Sequence, residues 1–169
     1  TLVLLYLASS IYHIVPKENP WKSRLQIVDH SMIFLLIAGT YTPIALTALR
    51  GAWGWSLFGV VWGLAALGTL VKAVGPLRRR VPHSLIVAVY ALMGWVAIVA
   101  IVPLVKTLSG GALALLFAGG GAYTLGIVFF ALDTLAERKS KWYGHHEIWH
   151  LFVIAGSACH FCLIYIYLF

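Results

Sequence analysis

The sequence predicts an all-α membrane protein with six transmembrane helices. They are expected to belong to a seven-helix bundle, with its first helix missing from this chain. Three observations predict this. Hydrophobic residues make up 62% of the 169 positions and charged residues only 10%, where a water-soluble domain has about 25% charged. Mean hydropathy is +0.93. The apolar residues gather into six continuous stretches of roughly span length, separated by short loops whose basic residues alternate in number. With so little polar surface, a soluble domain and a nucleic-acid-binding module are both excluded, despite a net charge of +7.

The stretches are taken in order as 1–16, 26–49, 52–74, 84–105, 111–134 and 146–168, forming one transmembrane helical domain over 1–169. Their continuity at about 20 residues fits helices. Barrel strands would be about 10 residues long and alternate in polarity. The first stretch opens at Thr1 without a charged n-region or a small-residue cleavage site, so it reads as a helix and not a signal peptide. Gly39–Thr40–Tyr41–Thr42–Pro43 predicts a kink in the second span. Gly119, Gly120, Gly121 and Gly126 lie mid-span and predict a close helix-packing face, not a phosphate loop.

Charge sets the orientation. Lys17, Lys22 and Arg24 are counted between the first two spans. Lys72 and Arg78–Arg80 fall between the third and fourth, and Arg138, Lys139 and Lys141 between the fifth and sixth. These are ten of the twelve basic residues, and only Arg50 and Lys106 lie on the other side. The positive-inside rule puts the three basic loops in the cytoplasm and the C-terminus outside. With one further span upstream, the topology is N-in and C-out.

Ionisable residues inside spans are costly and mark function. His13 lies four residues before Lys17, Asp29 five after Arg24, and His146 five after Lys141. At 1.5 Å per residue all three sit roughly 6–8 Å inside the same membrane face. Ser9 and His13 are four apart and share a helix face, as do His146 and His150. Two imidazoles at i and i+4 suit a metal. With His13 they make a three-histidine set with an open fourth position, the layout of a catalytic zinc site. Zinc acidifies a bound water, and Asp29 is placed as general base or water-orienting group.

The string His146–Glu147–Ile148–Trp149–His150 also reads H-E-x-x-H, in which the Glu serves as general base in soluble zinc proteases. Glu147 lies about 100° from His146 around the helix. It is therefore either a second candidate base or a plain interfacial carboxylate. Asp29 has an alternative too, an ion pair with Arg24. His160 returns to the His146 face but about 15 Å beyond His150, too far for the same metal. It is expected to line a cavity or to bond a neighbouring helix, with Ser157 on the same face. Asp133 is expected in an ion pair with Arg138 or a neighbour, His83 at the start of the fourth span, and Cys159 and Cys162 as packing residues, not a redox pair.

These strings resemble a known family. Ser9–Ser10–Ile11–Tyr12–His13 is similar to its S-x-x-x-H motif. Asp29–His30–Ser31 stands where its Asp motif opens the next helix, and His146–Glu147–Ile148–Trp149–His150 is similar to its H-x-x-x-H motif. The chain thus resembles a hemolysin III-type bacterial member of the progestin and adiponectin receptor family, from the second span of seven to the last. The resemblance implies a multi-pass protein of the bacterial plasma membrane. It implies zinc held by His13, His146 and His150, with Asp29 holding a water and Ser9 as a polar partner. Relatives are linked to hydrolysis of ceramide-like lipid amides.

The first functional expectation is therefore a zinc-dependent hydrolase of lipid amides or esters, with the lipid substrate entering from the bilayer. A receptor or sensor with non-catalytic zinc is the second, disfavoured by the open fourth position. A membrane-permeabilising hemolysin would need a soluble form that this composition does not allow. A protease would leave Ser9 and His13 unexplained, and haem ligation does not use i, i+4 histidines on one helix.

Overall fold

The computed structural model describes the backbone of residues 1–135 and 145–169, and the side chains of residues 1–131 and 147–169. Every element among the described residues is helical. Five helices are long and apolar enough to cross a membrane: Lys22–Leu49, Gly51–Ala73, His83–Thr107, Gly110–Ala131 and Glu147–Tyr167. The expected first span is a shorter apolar helix, Leu2–Ile14. The described chain divides into two compact units, Thr1–Ala100 and Ile101–Phe169.

In the first unit, α1 (Leu2–Ile14) is followed by α2 (Lys22–Pro43) and α3 (Gly51–Ala73), then by the short α4 (Gly75–Arg80) and by α5 (His83–Trp95). Lipid gives helices no hydrophobic reason to associate, so close packing must supply it. The α3 helix shows how. Its buried residues are Gly54, Leu57, Val61, Ala65, Gly68 and Lys72, spaced three or four apart along one face. A Cβ at Gly68 would run into the ring of Phe34, and one at Gly54 into the Ala45 carbonyl oxygen. Phe34, Ala38, Val61 and Ala65 are fully buried in consequence.

The kink predicted at Gly39–Pro43 takes a specific form. Past Pro43 the backbone winds as a π-helix over Ile44–Leu49, because proline removes an N–H from the ladder. Hydroxyls of Thr40, Thr42 and Thr47 donate to carbonyls four residues back, at 2.6–2.9 Å. The second interruption, a 3₁₀ stretch at Val96–Ala100, precedes Pro103. Tyr41 serves it from α2: its hydroxyl donates to the Gly94 carbonyl at 2.7 Å and accepts from the Ala97 N–H at 3.0 Å. Backbone groups freed at membrane depth need such partners. Arg50 and Gly51, both at positive φ, make the sharp turn into α3.

The basic residues are not all in loops. Lys22 and Arg24 belong to α2 and Lys72 to α3. The Lys22 ammonium donates to the carbonyls of Tyr12 and Val15, the latter at 2.7 Å, and so closes the C-terminal end of α1. Arg24 lies over the Trp21 ring at 4.7 Å, and among the described residues it makes no ion pair with Asp29. The orientation expected from charge is checked by labelling single cysteines in a background without Cys159 and Cys162. Positions beside Arg79 and Arg138 should react only from the cytoplasm, and positions beside Lys106 only from outside. The reverse pattern would overturn the orientation.

The second unit holds α6 (Ile101–Thr107), α7 (Gly110–Leu135) and α8 (His145–Tyr167). Here the glycine reading divides. A Cβ at Gly119 would strike the His160 ring, and one at Gly126 would come 3.0 Å from Phe152 Cβ. Gly120 and Gly121 face open space, so the packing face is Gly119 and Gly126, seven residues apart, and not the triplet. Gly119→Ala should cost about 1–3 kcal/mol as overpacking. Gly120→Ala should be neutral or mildly stabilising. Thermal unfolding in detergent reads the contrast.

Candidate functional site

Both pairs of positions, 9 and 13 and 146 and 150, fall within regular helix. Residues 9 and 13 lie in the unbroken α1, one turn apart. Because α8 is helical from His145 onward, positions 146 and 150 also lie one turn apart on a single face. Asp29 sits two turns into α2.

In the first unit the surroundings of His13 are polar and aromatic. The Tyr12 ring meets the His13 ring edge-on at 5.0 Å, and Lys22 lies 4.2 Å over Tyr12. The charge of Asp29 acts on the phenols of both Tyr12 and Tyr90. Asp29 of α2 is thus in electrostatic range of the residue next to His13 in α1. Tyr90 in turn donates to the His30 carbonyl at 2.7 Å.

In the second unit the His150 ring packs against Trp149 at 4.6 Å. Trp149 itself packs on Phe130 of α7. Glu147 is exposed. His160 lies flat against Tyr123 of α7 at 5.5 Å, and its Nδ1 is 2.8 Å from the Gly156 carbonyl. Ser157 Oγ is 2.9 Å from the Tyr123 hydroxyl. Both residues join α7 to α8, as expected for residues bonding a neighbouring helix. Cys159 and Cys162 are free thiols. The side chains of Asp133, His145 and His146, and residues 136–144 with their basic cluster, lie outside what the structure describes.

Among the described residues no group of three or more His, Cys, Asp or Glu side chains is gathered as a metal site. His146, one of the three expected ligands, is not among those side chains. Histidine and a carboxylate, the residue types at positions 13, 146, 150 and 29, are types that zinc sites use.

The fold and composition define a multi-pass helical integral membrane protein. Its whole length but the last eight residues, 1–161, matches the haemolysin-III related family, and the chain belongs to that family. It is 42% identical over 167 residues to Hemolysin-3 of Bacillus cereus, covering 98% of this chain and 71% of that protein. It is 40% identical to a Hemolysin-3 homolog of Bacillus subtilis, covering 73% of it. It is also 29% identical to the human monocyte to macrophage differentiation factor, covering 67% of that protein. No solved structure matches. The bacterial relatives point to the plasma membrane as its location.

Sequence reasoning missed Lys72. It lay inside the apolar stretch 52–74, four residues after Gly68, and that spacing was the signal that it belonged to the helix face and not to the loop.

Proposed function

We propose that the chain is a zinc-dependent intramembrane hydrolase of lipid amides or esters. The observation that carries this reading is the helical register of α8 from His145. It sets positions 146 and 150 one turn apart along one face, a spacing that suits a pair of metal-binding histidines. His13, His146 and His150 would hold the metal, each as a neutral imidazole. Zinc, when bound, supplies a Lewis acid that polarises a carbonyl and acidifies water.

The remaining chemistry belongs to this chain's carboxylates and hydroxyls. Asp29 orients the attacking water, takes its proton, and passes that proton to the leaving amine or alkoxide. Ser9, one turn before His13, is its polar partner. Glu147 is the reserve base, about 100° around α8 from His146. Substrate enters sideways from the bilayer, since the spans are joined by loops too short to form a soluble cleft.

The test is elemental analysis of purified protein, followed by turnover assays with ceramide-like amides and lipid esters. About one zinc per chain with hydrolysis is expected. Zinc-loaded protein inert towards every lipid amide and ester would favour a receptor with non-catalytic zinc. Protein that takes up no zinc would remove both readings.

A further inference from the structure

Lys22 is the first residue of α2, yet its side chain serves α1. The ammonium donates to the Tyr12 carbonyl and, at 2.7 Å, to the Val15 carbonyl. It also lies 4.2 Å over the Tyr12 ring. Tyr12 and Val15 stand on either side of His13, the next-to-last residue of α1, and at Val15 the backbone turns extended. The last carbonyls of a helix have no partner within it, and the negative end of the helix dipole favours a cation there. A lysine ammonium has three donors, and two of them are given to this one helix end.

The turn between the helices brings Lys22 to this place. The Asn19 N–H donates to the Pro16 carbonyl at 3.2 Å and the Lys22 N–H to the Asn19 carbonyl at 3.0 Å. The Trp21 N–H donates to Asn19 Oδ1 at 2.9 Å. At the other end of the pair, the Thr1 side chain fills the space that a Cβ at Gly39 would need. The two helices are thus fastened at both ends. Lys22 and Asp29 are seven residues apart on α2, within about 20° of each other around it, and so share a face. The charge of Asp29 reaches the Tyr12 phenol. One face of α2 therefore holds the peptide groups around His13 and also carries the proposed proton-transfer group.

We infer that Lys22 is a positioning residue of the proposed zinc site, a role that rests on the hydrolase reading above. By holding the end of α1 against α2, it fixes the depth and rotation of the turn that carries His13, and so the place of that imidazole relative to the Asp29 carboxylate. Lys22 acts through the α1 backbone and contacts neither metal nor substrate. Helix ends fray, and fraying of the last turn of α1 would release His13 itself. A ligand that must be ordered on binding lowers affinity, and one already held in place does not.

The experiment uses the full chain in detergent and three readouts. Zinc Kd is measured by competition with a chromophoric chelator, site geometry by the visible absorption of the cobalt(II)-loaded protein, and Tm by thermal unfolding without metal. Lys22→Met keeps the side-chain length and loses the donors. It should weaken zinc binding about tenfold, the lower end of what outer partners of metal ligands contribute, and alter the cobalt bands. Lys22→Arg can still donate to both carbonyls and lie over the Tyr12 ring, and should restore affinity and bands together. If Lys22→Met fails to fold, Lys22→Gln, which keeps an uncharged donor, serves instead and should bind zinc more weakly than Lys22→Arg. A lower Tm with unchanged zinc affinity and cobalt bands would make Lys22 a helix cap and nothing more. That result would overturn the inference and leave the hydrolase reading intact. Wild-type protein that binds neither metal would remove the hydrolase reading, and this role with it.

Discussion

Replacing His150 by alanine is expected to empty the protein of zinc, falling from about one ion per chain to near zero in elemental analysis. The proposed site has only three protein ligands, so the loss of one leaves two imidazoles that compete poorly with water and buffer. Two readouts should fall together. Turnover of a ceramide-like amide should vanish, because Lewis acid and activated water go at once. Thermal stability should also fall, because a ligand that binds only the folded state contributes about 4 kcal/mol when present at a thousand times its Kd. Adding a chelator to wild-type protein should reproduce the drop. A His150→Ala protein that keeps its zinc would remove the ligand assignment.

Asp29→Ala is expected to separate the metal from the chemistry. Its carboxylate is assigned to water and proton transfer, so zinc content and Tm should stay near wild type while turnover drops about 10²–10⁴-fold. Glu147→Ala, altered at an exposed position of α8, should lose far less. The reverse result, with Asp29→Ala active and Glu147→Ala inactive, would move the base to α8 and recast the H-E-x-x-H string as the working motif.

Most of the fold could be read from the sequence because a span is a local property. Apolar length alone put the helix limits within a few residues, as in 52–74 against Gly51–Ala73. The i, i+4 pairings at Ser9–His13 and His146–His150 were legible for the same reason, since helix geometry fixes them without reference to any neighbour. What could not be read depends on other helices. Lys72 was counted as a loop charge because hydropathy along one strand of text does not say which face α2 covers. Gly119 and Gly120 are equivalent in sequence, and only the position of His160 makes one intolerant of a methyl group. Pro43 announced a break in the second span, but not its π form, and not that Tyr41 would serve the broken backbone of α5. The expectation that His13 and the α8 pair share a metal rests on equal depth in three spans, an argument about the membrane and not about contacts.

The Tyr41 bond has a consequence for how the protein is made. It links residues 53 positions apart, and synthesis proceeds at roughly 5–20 residues per second. About 3–11 seconds therefore pass between the emergence of Tyr41 and that of Gly94. During that interval the second span resides in or beside the insertion machinery with its phenol hydroxyl lacking the carbonyl it will later hold. The third span has already arrived by then, and Trp62 can reach Thr42 (3.0 Å in the finished fold). Assembly of the first unit is thus ordered by the ribosome: the α2–α3 pair forms early, and the fourth span locks it on arrival. A ribosome stalled before Gly94 emerges would leave the α2–α3 pair without the Tyr41 bond to Gly94, a natural substrate for membrane quality control.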